Sequence, residues 1–135
     1  MRTMLPALAG ITVLASQIVV AAVPGDAAAR PGIYTKAQAT TGAKSFAMNC
    51  ARCHGAMLQG VSGPPLKGPS APIQGIRSVS WVYHFVSKQM PLDKPGSLSP
   101  ATYTAIVAYI VQQNGHPAGP QPLTPAGAAT STQRI

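Results

Sequence analysis

Cys50-Ala51-Arg52-Cys53-His54 contains both cysteines of the 135-residue chain. Two thiols three positions apart, followed at once by an imidazole, form the attachment signature of a c-type haem. Each thiol can form a thioether with one haem vinyl group, which delivers the adjacent histidine under the iron as proximal ligand. Three other uses of the motif compete. A thioredoxin-like dithiol wants a βαβ surround, which the flanks do not offer. A structural zinc site wants four ligands, and His84 or His116 would have to supply the fourth at no recognised spacing. A two-residue disulfide loop adds little and leaves His54 unexplained.

On the N-terminal side, Pro31 and Gly32 mark an extended lead-in, and Thr35 with Gln38 forms a T-x-x-Q capping box. The pattern predicts a helix from Lys36 to about Cys50. Its apolar face would be Ala39, Gly42, Ala43, Phe46 and Ala47. A glycine inside a helix costs about 1 kcal/mol against alanine, so Gly42 suggests the close approach of another backbone.

On the C-terminal side, glycines and prolines punctuate residues 55–72 too densely for regular structure, with a turn expected around Met57 to Gly60. A helix is predicted from Val79 to Lys88, capped by Ser78 or Ser80, with Trp81, Val82, Phe85 and Val86 on its apolar side. Met90-Pro91 and the turn Asp93-Lys94-Pro95-Gly96 follow. Ser99 then caps a last helix with Pro100 at its first position, a buried stripe of Tyr103, Ile106, Val107, Ile110 and Val111, and an Asn114-Gly115 stop. Residues 117–135 are Pro-, Ala-, Thr- and Ser-rich and read as a flexible or surface-draped tail. With no internal repeat and no convincing strand, the expected fold class is all-α.

Residues 1–29 read as a secretory signal peptide: a basic start at Arg2, an apolar run from Leu5 to Val23, and Ala27-Ala28-Ala29 before Arg30. The apolar run is long for a signal, so an uncleaved inner-membrane anchor is the alternative. Export to the periplasm is expected either way. The domain would then occupy residues 30–116, a small one with few aromatics, whose core a buried cofactor would complete. Ten Lys and Arg face two acids, Asp26 and Asp93, for a formal net charge of +8. Such a balance suits solubility, or steering towards an acidic docking surface. A nucleic-acid partner lacks any reader motif.

An N-terminal helix running into C-x-x-C-H, a glycine loop, a Met-Pro and a C-terminal helix together resemble a class I monohaem cytochrome c, over about residues 34–120. The resemblance implies a small haem-packed all-α domain whose N- and C-terminal helices cross, here with Gly42 and Phe46 meeting Ile106 and Tyr109. It implies one covalent haem c on Cys50 and Cys53, with His54 as axial ligand. Gly63-Pro64-Pro65-Leu66 looks like the family loop in which a proline carbonyl, of Pro64 or Pro65, holds the proximal histidine and a leucine packs on the haem. Pro65 and Leu66 are thus the expected haem-pocket residues. Met90 through Ser99, with Tyr109 and Asn114-Gly115, is similar to monohaem cytochromes that serve periplasmic quinoprotein dehydrogenases.

For the sixth ligand, Met90 has the chain length to reach the distal side and the family's following proline. Met48 precedes the motif, Met57 follows His54 too closely, and Met4 lies in the signal. His84 is the rival, and His116 has no pattern behind it. With His54 and Met90 as axial ligands the protein would be an electron carrier and not an enzyme. Its partners would be a periplasmic dehydrogenase, a terminal oxidase or another cytochrome. Arg52, Lys67, Lys88 and Lys94 are candidates for the docking surface. The alternatives are a haem subunit of a dehydrogenase complex, or a haem enzyme or gas binder with an open sixth site.

Overall fold

In the computed structural model, residues 31–135 are described. The signal or anchor expected at the N-terminus lies outside the described residues. Among the described residues five helices follow one another: α1 (Lys36–Asn49), α2 (Ala51–His54), α3 (Val79–Gln89), α4 (Pro100–Gln113) and α5 (Pro125–Thr130). No strand forms among the described residues; a lone antiparallel bridge joins Ser78 and Arg134. The architecture is all-α, as the sequence predicts. No described helix is long and apolar enough to cross a membrane.

α4 is the centre of the core. Ser99 accepts the Thr102 amide at 3.1 Å and Pro100 occupies the first turn. Tyr103 through Ala108, Ile110 and Val111 are all buried. α1 crosses it through a narrower face of Ala39, Gly42, Ser45 and Phe46, while Ala47 is exposed and Ala43 half-buried. The backbones touch where Gly42 meets the Ala105 carbonyl, one residue before the expected Ile106. The Phe46 and Tyr109 rings pack beside this crossing, tilted by 57° at 5.5 Å.

The capping box of α1 is half made. Thr35 accepts the Gln38 amide at 3.2 Å, but the Gln38 side chain turns away to Leu123. Its Nε2 donates to the Leu123 carbonyl at 2.7 Å and its Oε1 accepts the Leu123 amide at 2.8 Å. The same segment, 117–135, expected as a flexible or surface-draped tail, packs on the domain and buries Leu123, Ala128 and Ile135, which answers to the second expectation and not the first.

That segment also closes the start of α3. Helix N-termini leave backbone donors unpaired. Here the Val79 amide donates to Gln133 and the Ser80 amide to Ser131, at 2.8 and 3.1 Å. Ser78 Oγ accepts the Trp81 amide at 3.1 Å. α3 buries Val79, Val82 and Tyr83. Trp81 and Phe85, expected on its apolar side, are instead 40% and 41% exposed. They stack on each other at 5.2 Å, and the Arg77 guanidinium lies 4.4 Å over the indole.

Candidate functional site

A cleft of about 830 Å³ opens between the α1–α2 junction, the loop after α2, the Met90 loop and α4. That volume lies within the roughly 300–1,000 Å³ of ordinary cofactor pockets. Phe46, Leu66, Val86, Leu98, Ile106 and Ile110 supply apolar lining, and Cys50, Cys53, His54 and Met90 all border it. The residues singled out by the motif and by the Met-Pro therefore meet at one place.

The local structure explains how His54 is set. α2 is a single turn that ends at Gly55, whose φ of 79° favours glycine. The loop after it folds back onto carbonyls the short helix leaves unpaired. The Gly60 amide donates to His54, and the Val61 and Gly63 amides donate to Cys53, at 2.8, 3.0 and 2.8 Å. This fold-back brings the Pro64 carbonyl 2.8 Å from His54 Nδ1. A carbonyl only accepts, so Nδ1 carries the proton and Nε2 keeps the lone pair a metal requires. Gly63 permits the approach, since a Cβ there would come within 3.0 Å of the His54 ring.

Of the two prolines considered, Pro64 holds the histidine and borders the cleft. Pro65 does neither; it packs under Gly60. Leu66 does line the cleft, and its carbonyl accepts Asn114 Nδ2 at 2.9 Å, which ties the loop to the end of α4. Leu58, which no periodicity marks, is fully buried beneath the loop with a φ of 61°.

The rival ligands stand elsewhere. His84 Nε2 pairs with the Ala129 carbonyl at 3.2 Å, and neither His84 nor His116 borders the cleft. Met57 is exposed and outside it; Met48 touches its rim but is 77% exposed. No cluster of three or more His, Cys, Asp or Glu forms among the described residues, so the four-ligand zinc alternative finds no site. Burial, and secondarily the charge of Cys53, push the Cys50 thiol up to about 11.

At the rim, Arg52 and Asp93 pair at 3.6 Å, largely exposed, a link of roughly 0–1 kcal/mol between α2 and the Met90 loop. Lys94 also borders the cleft, whereas Lys67 reaches Gln113 at 3.4 Å and Lys88 lies outside it.

A helical domain that brings a C-x-x-C-H turn and a methionine loop to one apolar cleft is a c-type cytochrome. Residues 37–110 match the family described as cytochrome C oxidase, cbb3-type, subunit III, and the chain belongs to that family. Comparison with curated proteins finds no match. Among solved structures, a chain of the sulfane dehydrogenase SoxCD from Paracoccus pantotrophus is 32% identical with a TM-score of 0.56. The match covers 67% of this chain and 49% of that one, so this chain spans about half the length of that relative. A chain of the thiosulfate dehydrogenase TsdBA from Marichromatium purpuratum is 33% identical, with 59% and 19% covered and a TM-score of 0.47. The cofactor of the family is covalently bound haem c, which the spacing of Cys50 and Cys53 fits.

Proposed function

We propose that the protein is an exported monohaem electron carrier, or the corresponding subunit of an oxidoreductase, with His54 and Met90 as axial ligands. One observation carries this reading: His54, oriented by the Pro64 carbonyl, and Met90 border the same cleft as Cys50 and Cys53. Bound haem c supplies a one-electron couple at its iron. Cys50 and Cys53 hold the group, and the apolar lining excludes water. His54 Nε2 offers a hard donor and Met90 Sδ a soft one, a set that favours the reduced state relative to two nitrogen donors.

The basic balance of the chain supports docking on an acidic surface of a redox partner, with Arg52 and Lys94 nearest the cleft. Redox encounters of this kind bury little area and depend on salt. The similarity to a chain of a sulfur-compound dehydrogenase makes a periplasmic dehydrogenase the favoured partner.

The test is Met90→Ala in the haem-loaded protein. It is expected to lower the reduction potential, abolish the weak sulfur-to-ferric-iron absorption band and admit carbon monoxide to the reduced form. A variant that keeps the band and excludes carbon monoxide removes Met90 as ligand. A wild type that binds carbon monoxide favours the gas-binding or enzymatic alternative.

A further inference from the structure

Tyr103 lies in the first turn of α4, 3% exposed, and borders the cleft. A buried phenol needs partners for its hydroxyl, and here both belong to the loop that carries Met90. The hydroxyl donates to the Met90 carbonyl at 2.6 Å and accepts the Leu98 amide at 3.3 Å. It therefore ties down both ends of the segment from Met90 to Leu98.

Two other restraints reach the segment: the Met90 amide donates to the Val86 carbonyl of α3 at 3.1 Å, and the exposed Arg52–Asp93 pair touches the loop, but neither holds the Met90 carbonyl. Pro91 is buried, but Leu92 through Ser97 are all exposed. Inside the loop, the Lys94 amide donates to Pro91, the Gly96 amide to Met90 and the Ser97 amide to Lys94, at 2.9, 3.3 and 3.2 Å. These bonds shape the loop but do not attach it to the domain. Methionine adds three rotatable bonds of its own, so a fixed thioether requires a fixed backbone.

We propose that Tyr103 is the positioning residue for Met90. Its hydroxyl holds the carbonyl on the same Cα from which the thioether hangs, and so governs how firmly Met90 competes with external ligands. The proposal rests on Met90 as axial ligand. It assigns the hydroxyl and not the ring: phenylalanine fills the same space and leaves the Leu98 amide and one lone pair of the Met90 carbonyl without their partner.

The experiment compares haem-loaded wild type, Tyr103→Phe and Tyr34→Phe. Tyr34 is equally buried and its hydroxyl donates to the His116 carbonyl at 2.5 Å, outside the cleft. It therefore controls for loss of a buried hydroxyl bond alone. Imidazole is titrated into each ferric protein while the sulfur-to-iron band is followed, and thermal unfolding is recorded in parallel. Tyr103→Phe is expected to bind imidazole roughly tenfold tighter, the equilibrium equivalent of one lost hydrogen bond. Its sulfur band should fade at a lower temperature than global unfolding. Tyr34→Phe should match the wild type in both, even where it unfolds earlier. Equal imidazole affinity in all three proteins, or equal gains in both variants, overturns the proposal. A wild type without the sulfur band overturns the Met90 ligand assignment itself, and that outcome is visible before any variant is compared.

Discussion

Gly42 of α1 rests against the Ala105 carbonyl of α4, and a Cβ built on Gly42 would overlap that oxygen and reach 3.0 Å from Tyr109 Cβ. In an open helix, Gly→Ala stabilises by about 1 kcal/mol. Here the two helices would have to separate, and overpacking of this kind costs about 1–3 kcal/mol. Gly42→Ala is therefore expected to lower stability, the opposite sign from an exposed site. Urea unfolding of the haem-loaded protein measures it, and a gain in midpoint would show that the crossing is looser than described.

Trp81 and Phe85 stack at the surface, 40% and 41% exposed, so much of their contribution is their mutual contact and the Arg77 cation–π pair. Trp81→Ala should cost about 1 kcal/mol, far below the roughly 3–5 kcal/mol of a core tryptophan. Val82→Ala, at a residue 3% exposed on the same helix, should cost about 2 kcal/mol despite removing fewer atoms. Thermal melts of the two variants give the order. A Trp81 variant less stable than the Val82 variant would place the indole in the core.

What could be read from the chain was what neighbours encode. The C-x-x-C-H motif, the Thr35, Ser78 and Ser99 caps and the Gly115 stop depend on residues within a turn of one another, and each stands where the pattern puts it. The differences arise where the outcome depends on contacts beyond a single turn. Gln38 offers the right side chain for a capping box, yet Leu123, 85 residues away, takes it. A 3.6-residue period shows that α3 is amphipathic but not how wide a stripe is covered, and Trp81 and Phe85 lie at the exposed edge of that stripe. Pro64 and Pro65 are indistinguishable until the amides of Gly60, Val61 and Gly63 fix which carbonyl faces His54. Segment 117–135 has few apolar residues, yet Leu123, Ala128 and Ile135 are buried and the Gln38 side chain and backbone bonds at Val79 and Ser80 hold it, contacts that composition does not register.

Those backbone bonds are open to direct measurement. The Val79 and Ser80 amides, paired with Gln133 and Ser131, should exchange with deuterium far more slowly than amides of the exposed loops. In a chain shortened to residue 124, which keeps Leu123 and its Gln38 bonds, the protection should disappear. Two capping bonds at roughly 1 kcal/mol each, with the burial of Ala128 and Ile135, put the stability loss at about 3–5 kcal/mol. Fast exchange of both amides in the full chain would mean that the segment does not close over α3.

Tyr34 gives the protein a pH dependence whose sign can be worked out. Burial raises its phenol above the usual value of 10.0, because the phenolate would lose its hydration. The folded state thus holds the proton more tightly than the unfolded chain. That contribution is fully present below pH 10, and is lost as pH rises through the elevated folded value. Tyr34→Phe lacks both the titration and the hydroxyl bond to the His116 carbonyl. At neutral pH the variant should be less stable by about 1 kcal/mol. Above pH 10 the gap should close, since only the wild type is penalised by ionisation at this position. The other tyrosines are common to both proteins and cancel in the difference. Paired urea titrations at pH 7 and pH 11 decide the matter: a gap that widens at high pH would mean that the Tyr34 hydroxyl ionises more readily in the folded protein than in the unfolded chain.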